Sequence, residues 1–309
     1  MQWSQIKTLF ILSFLVLNIY LLIQYIDKQE RADVGVLSSQ EASIEEQLES
    51  ENITLEDVEV DITEDTYISV AQHTFTDEEK ERLANLPDQR PVIFDDRFIV
   101  SALEEPVAIP AAALREDINN IIGNQIPFSE FYRFGGWNEE MNVLLFFQET
   151  RDRPIYFNAY ALLMVYLNED NEMIYYTQSR LAEPEQQEGL KSLTQPIQAI
   201  GTLYNRNLLY PDDVVNQVEL GYHTRIPLAN GQQVFAPTYK ITVSEERDYF
   251  VNAIEGQTFS SEDEEFIREV IGTTVTSLEQ LDEDHPWRDD MLDYLNSLLE
   301  NETNRSDLE

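Results

Sequence analysis

The hydrophobic pattern begins with a run of 19 almost wholly apolar residues, Thr8 to Ile26, broken only by Thr8, Ser13, Asn18 and Gln24. At about 1.5 Å per residue, a helix of that length crosses a hydrocarbon core roughly 30 Å thick. The pattern therefore predicts a single transmembrane helix within residues 1–26, spanning the membrane with residues 8–26. A signal peptide has a shorter apolar core, about 7–15 residues, and a small-residue cleavage site after it. The sequence Tyr25-Ile26-Asp27-Lys28 offers no such site, so the expectation is an uncleaved anchor. Within it Lys7, Ile11, Phe14, Asn18, Leu21 and Tyr25 keep the 4-3-4-3-4 spacing of a helix–helix seam. Asn18 falls near the bilayer centre, where a partner helix could take up its amide. The plainer reading is an amide tolerated in an ordinary anchor.

After the anchor the pattern changes. Residues 27–60 read as an acidic stalk, since Glu41 to Asp65 carries eleven acids and no base, a composition that favours an extended, self-repelling chain. A short helical turn is expected around Ile44 and Leu48. Strand-like alternation starts near Val58 and resumes at Tyr67-Ile68-Ser69-Val70. Thr76-Asp77-Glu78-Glu79 has the form of a capping box and opens a short helix that Pro87 ends. A second helix is predicted over Pro110–Ile122, with Gly123 as its cap. Strands follow at Phe128–Phe134, a turn at Gly135-Gly136, and strands at Met141–Gln148, Ile155–Leu167 and Met173–Thr177. Asn168 to Asn171 turns the last two into a hairpin. The strand Ile155–Leu167 is apolar on both faces, which reads as a central strand covered on both sides, or alternatively as a surface for a partner.

Pro184 and Gly189 mark an internal boundary, and the pattern then repeats. A helix from Thr194 has Pro196 in its first turn and turns Ile197, Ile200, Leu203 and Tyr204 inward. A helical turn is expected at Pro211-Asp212-Asp213. Strands follow at Val218–Ile226, Val234–Val243 and Tyr249–Ile254. In the second of these Tyr239, Ile241 and Val243 share one face and Lys240, Thr242 and Ser244 the other. The prediction is thus an α+β chain: an N-terminal transmembrane helix, then an extracellular body of two lobes, 61–185 and 186–260, each of antiparallel meanders with packed helices. Residues 261–309 form an acidic extension in which a helix from Trp287 to Leu299 lines up Met291, Tyr294, Leu295 and Leu298 for docking on the body.

Composition sharpens this picture in two places. The chain carries 59 acidic and 20 basic residues among 309, a net charge of −39, and all the acids lie after residue 26. Such a body repels nucleic acid and anionic lipid head groups, so neither is an expected partner of it. Lys7 and the chain's amino terminus flank the apolar run on one side and Lys28 and Arg31 on the other, a tie, but no Lys or Arg occurs from Ala32 to Glu79. That asymmetry places the N-terminus in the cytoplasm and the body outside.

Candidate chemistry is sparse. There is no cysteine and no Gly-x-Ser-x-Gly elbow, and His73, His223 and His285 sit in unrelated contexts. Asp282-Glu283-Asp284-His285 begins like a calcium loop, but Trp287 stands where the turn needs glycine. With so many acids, a carboxylate pair for glycoside hydrolysis has no diagnostic value. No catalytic, metal-binding or cofactor-binding residues are assigned.

Three stretches carry a resemblance: Met1-Gln2-Trp3-Ser4-Gln5-Ile6-Lys7-Thr8 with the apolar run behind it, Val218-Glu219-Leu220-Gly221-Tyr222, and Phe250-Val251-Asn252-Ala253-Ile254-Glu255-Gly256. Together they resemble the YycI family of low-GC Gram-positive bacteria. The resemblance implies a single-pass regulator that acts with a YycH-like partner. Its target would be the essential sensor histidine kinase WalK (YycG) of the WalKR two-component system, which governs cell-wall metabolism. It also implies a two-lobed α+β fold related to that of YycH, and it brings no catalytic residues. The acidic extension and the very high negative charge depart from the family pattern. Two other classes of function remain as alternatives, an anchored cell-wall enzyme and a ligand-binding module.

Overall fold

Alternating apolar positions build most of the body as one sheet. In the computed structural model, which describes residues 7, 12–22, 24, 43–184, 189–227, 232–245, 247–260 and 263–300, the chain divides into two compact units, residues 1–50 and 51–309. In the first unit, residues 7, 12–22 and 24 are helical, and α1 (Ile44–Ser50) follows. The Ser43 hydroxyl accepts the Glu46 N–H, and the Glu46 carboxylate accepts the Ser43 N–H, each at 3.2 Å, a reciprocal cap at the start of α1. Among the described residues no helix is long and apolar enough to cross a membrane.

The second unit begins with β1 (Thr54–Asp57), β2 (Glu64–Asp65), β3 (Ile68–Ala71), α2 (Asp77–Ala84), β4 (Gln89–Phe94) and β5 (Phe98–Ala108). Then come α3 (Arg115–Gln125), β6 (Tyr132–Asn138), β7 (Val143–Thr150), β8 (Arg153–Tyr156), β9 (Leu162–Leu167) and β10 (Glu172–Ser179). It continues with β11 (Lys191–Ser192), α4 (Pro196–Asn205), β12 (Val214–Pro227), β13 (Gln232–Val243), β14 (Arg247–Asn252) and β15 (Thr258–Ser260). The helices α5 (Asp263–Leu278) and α6 (Arg288–Glu300) complete the described elements. Thirteen strands form one sheet whose main path is β15-β14-β13-β12-β8-β7-β9-β10-β5-β4, with β1 on β12, β3 on β13 and β6 on β7. Strands from 61–185 and from 186–260 therefore share a sheet, joined where Ile155 and Tyr156 run parallel to Tyr222 and His223 and where Ile68–Ala71 runs antiparallel to residues 232–235.

The β9 strand is buried at all six positions, because each of its faces meets a different set of helices. Leu162, Met164 and Tyr166 join Val143, Leu145 and Phe147 of β7 under α5 and α6, where Ile267, Ile271, Leu278, Met291 and Leu295 close the core. Leu163, Val165 and Leu167 face the other way with Leu144 and Phe146, against Leu83 of α2 and Ile118 and Ile122 of α3. This is the two-sided cover expected of a central strand. Farther along the sheet, Tyr239, Ile241 and Val243 are buried on one side of β13, and the Tyr239 hydroxyl donates to the Thr194 carbonyl at 2.8 Å beside α4.

Several local expectations hold. Thr76 caps α2 with both halves of the capping box in place, Pro196 opens α4, and β9 and β10 form the hairpin around Asn168. Others change, each for a local reason. The long strand Ile155–Leu167 is two strands, since Phe157 takes a left-handed backbone (φ 46°) and ends β8. The Asn158 side chain then holds the turn, accepting the Tyr160 N–H at 3.0 Å and donating to Thr224 Oγ1 and Gln233 Oε1. Gly135-Gly136 is no turn but part of β6, at a register shift. A Cβ at Gly135 would lie 2.5 Å from the Phe147 ring, so the glycine is there to let that ring lie against the strand. The second helix starts at Arg115, because Asp117 accepts the Leu114 N–H at 3.2 Å, and it runs through Gly123 to Gln125 while the buried Ile126 ends it. Pro211 to Asp213 makes a turn, not a helix, in which the Asp213 carboxylate accepts the Tyr210 N–H at 2.7 Å. Within 27–60, Thr54–Asp57 pairs in parallel with Val214–Gln217 and so belongs to the sheet. The α5 helix has no counterpart among the predicted elements, whereas α6 docks as its apolar stripe predicts.

Candidate functional site

The face expected to meet a partner lies on the N-terminal helix. Phe14, Asn18 and Leu21 are helical, and at 100° per residue their four- and three-residue spacing puts them on one stripe, with Lys7 two turns earlier. Phe14 and Leu21 are 56% and 51% exposed. Ile11 and Tyr25 lie outside the described residues, as do residues 8–10, 23 and 26 of the expected span.

In the body, three of the polar clusters are built on an arginine that joins distant segments. The Arg180 guanidinium donates to Glu79 Oε1 at 2.7 Å and lies 2.6 Å from His73 Nε2, which is itself 3.0 Å from Glu79 Oε2. The same guanidinium lies over the Phe131 ring, 4.3 Å from its centroid. Burial pushes the Glu79 carboxyl up, but the Thr76 N–H, His73 and Arg180 outweigh it and pull its pKa from 4.5 to about 2. In the second cluster, Arg153 pairs with Asp65, whose carboxylate also accepts the Tyr222 hydroxyl at 3.1 Å. In the third, Asp213 accepts from Arg247, from the Ser244 hydroxyl at 3.1 Å and from the Tyr210 N–H. Burial raises the Asp213 pKa, and these donors together bring it below the usual carboxylate range.

Each cluster ties together segments distant in sequence: α2 to the end of β10, β2 to β8 and β12, and the turn before β12 to β14. In each cluster the carboxylate is paired with an arginine, so the arrangement holds these segments together. The histidines are likewise absorbed. His223 stacks on Phe259 at 4.9 Å, and burial lowers its pKa, so the ring is held neutral. His285 meets the Trp287 ring edge-on at 4.7 Å. Among the described residues no group of three or more His, Asp or Glu side chains is placed to hold a metal ion. Of the cluster residues, sequence reasoning singled out Glu79 through its capping box and Asp213 through its turn. His73 stands out only as one of three histidines and Tyr222 only within a family-like stretch. The arginines give no local signal, since the chain has 15 of them against five lysines and their carboxylate partners lie far away in sequence.

The fold is thus an α+β body on one large sheet, held by arginine–carboxylate ties and preceded by a helical segment. The chain belongs to the YycI family: the family model described as "YycI protein" matches residues 32–254. A regulatory role in a two-component system is the class of function this family carries. No curated protein matches the chain. Among solved structures it is similar to an uncharacterized protein from Eubacterium rectale ATCC 33656, with 8% identity and a TM-score of 0.41 over 68% of this chain and 91% of that one. It is also similar to YycH from Bacillus subtilis, with 9% identity and a TM-score of 0.36 over 64% of this chain and 53% of that one, about half of YycH's length.

Proposed function

We propose that this protein is a membrane-anchored regulator of an essential sensor histidine kinase that controls cell-wall metabolism. It works through contacts of its N-terminal helix with the kinase and through a complex with a YycH-like partner. Its N-terminus lies in the cytoplasm, its body outside, and residues 8–26 cross the membrane. The observation that carries this reading is the family match over residues 32–254. The apolar run from Thr8 to Ile26, and the stripe Lys7, Ile11, Phe14, Asn18, Leu21 and Tyr25 along it, supply the anchor and the contact face.

An interhelical amide bond in a membrane is worth about 1 kcal/mol, roughly fivefold in affinity. Replacing Asn18 with Leu, and separately Phe14 with Ala, is therefore expected to lower recovery of the kinase with the full-length protein from membranes severalfold. Unchanged recovery across every position of the stripe would overturn the helix contact while leaving the complex made by the body to be judged by pull-down of the YycH-like partner.

A further inference from the structure

The hairpin between β4 and β5 turns through Asp95, Asp96 and Arg97, the first two with left-handed backbones at φ 48° and 59°. Asp96 pairs with Lys80 at 2.8 Å. Asp95 and Arg97 are both exposed, and among the described residues neither forms an ion pair, with the other or with any third group. Arg97 Nε donates to Thr74 Oγ1 at 3.3 Å, and the two terminal nitrogens of the guanidinium have no acceptor among the described residues.

Both side chains border a cavity of about 260 Å³ that opens to solvent. Phe94, Phe98, Tyr160 and Val270 give it an apolar wall, with the two phenylalanine rings 6.2 Å apart. From α5 come Thr273 and Ser277. Their hydroxyl protons go to the carbonyls of Glu269 and Thr273, each at 3.0 Å, so toward a ligand their oxygens act as acceptors. The cavity thus combines an unpaired cation, an unpaired carboxylate with further acceptors, and an aromatic wall. An arginine fork suits a carboxylate, but a chain of net charge −39 repels a ligand that is an anion overall. A zwitterion is neutral as a whole and uses both charges of the turn.

We propose that this cavity binds a free α-amino acid with an aromatic side chain. The Arg97 guanidinium takes its carboxylate, Asp95 and the α5 hydroxyl oxygens take its ammonium group, and its ring packs against Phe94, Phe98 and Val270. The size fits, since an apolar cavity of about 150 Å³ holds benzene and the 260 Å³ here adds room for the charged head.

The test is a calorimetric titration of the full-length protein with L-phenylalanine, which is expected to bind saturably. L-phenylalanine amide lacks the carboxylate, N-acetyl-L-phenylalanine lacks the ammonium group and glycine lacks the ring, and each should bind at least about tenfold more weakly. Arg97→Gln should weaken L-phenylalanine by about tenfold or more and leave the amide as it was. Asp95→Asn should weaken L-phenylalanine similarly and leave the N-acetyl compound as it was. Asparagine tolerates the left-handed backbone at position 95, and unchanged melting temperatures would show that both variants are folded. No saturable binding of L-phenylalanine to the parent protein would overturn the proposal. So would equal binding of L-phenylalanine and its two blocked forms, or unchanged L-phenylalanine affinity in Arg97→Gln.

Discussion

Glu79 does two jobs with one carboxylate. It closes the capping box of α2 by accepting the Thr76 N–H at 2.8 Å, and it receives Arg180 from the end of β10. The helix start and the long-range tie thus share one ionised group, with a direct consequence for acid stability. The unfolded carboxyl titrates near 4.5 and the folded one at about 2, so between those values the unfolded chain binds more protons and stability rises with pH. The contribution is fully present above about pH 4.5 and is lost as pH falls toward 2. Urea midpoints measured from pH 2 to 6 should show this slope, and Glu79→Gln should flatten it. A slope that survives the substitution would mean that other carboxylates carry the acid sensitivity. Only the capping half of this arrangement is legible in the sequence, because Thr76 and Glu79 are three residues apart while Arg180 is 101 positions from Glu79.

The two C-terminal helices show how element legibility depends on local pattern. In α6 the apolar positions Met291 and Leu295 are spaced for one stripe and are both fully buried, and the Tyr294 hydroxyl donates to the Leu167 carbonyl at 2.9 Å. Helical spacing alone makes that stripe legible in the sequence. The α5 helix buries as much core but hides its pattern among hydroxyl residues, and Thr273, Thr274, Thr276 and Ser277 each turn back to a carbonyl four residues earlier. Such residues have weak helical preference, so the tertiary contact of Ile267, Val270, Ile271 and Leu278 with the sheet decides the helix. Removing part of that contact is expected to be costly. Leu295→Ala should destabilise the protein by about 2–5 kcal/mol, and Tyr294→Phe by about 1 kcal/mol, both read from denaturant midpoints. A loss below about 1 kcal/mol for Leu295→Ala would show that α6 is only loosely attached.

Across the whole body, the two stretches of antiparallel sheet depend on a narrow join. Two residue pairs carry it between β8 and β12, Ile155 with Tyr222 and Tyr156 with His223, and Gln72 beyond β3 bridges Leu181 beyond β10; Arg153 with Asp65 and Arg133 with Glu219 support them. Gly221 sits beside that join, where an added Cβ would meet the Pro154 carbonyl at 2.6 Å as well as the Tyr156 ring. Overpacking of this kind costs about 1–3 kcal/mol. Gly221→Ala should therefore lower the denaturant midpoint accordingly, whereas Gly136→Ala, where a Cβ meets nothing within 4 Å, should change it little. Equal effects at the two glycines would show that the join tolerates separation.

The sequence by itself determined what depends on near neighbours: the 19-residue apolar run and its stripe, the capping box, the β9–β10 hairpin, the two-faced burial of the central strand and the α6 stripe. It also carried the family resemblance, since that lies in short contiguous motifs. Tertiary structure alone decided how those pieces combine. The split of Ile155–Leu167 at Phe157, the placement of Gly135 and Gly221 against aromatic rings and the arginine ties all depend on residues distant along the chain. Local periodicity records which side of a strand is apolar, but not which distant ring or charge will lie against it.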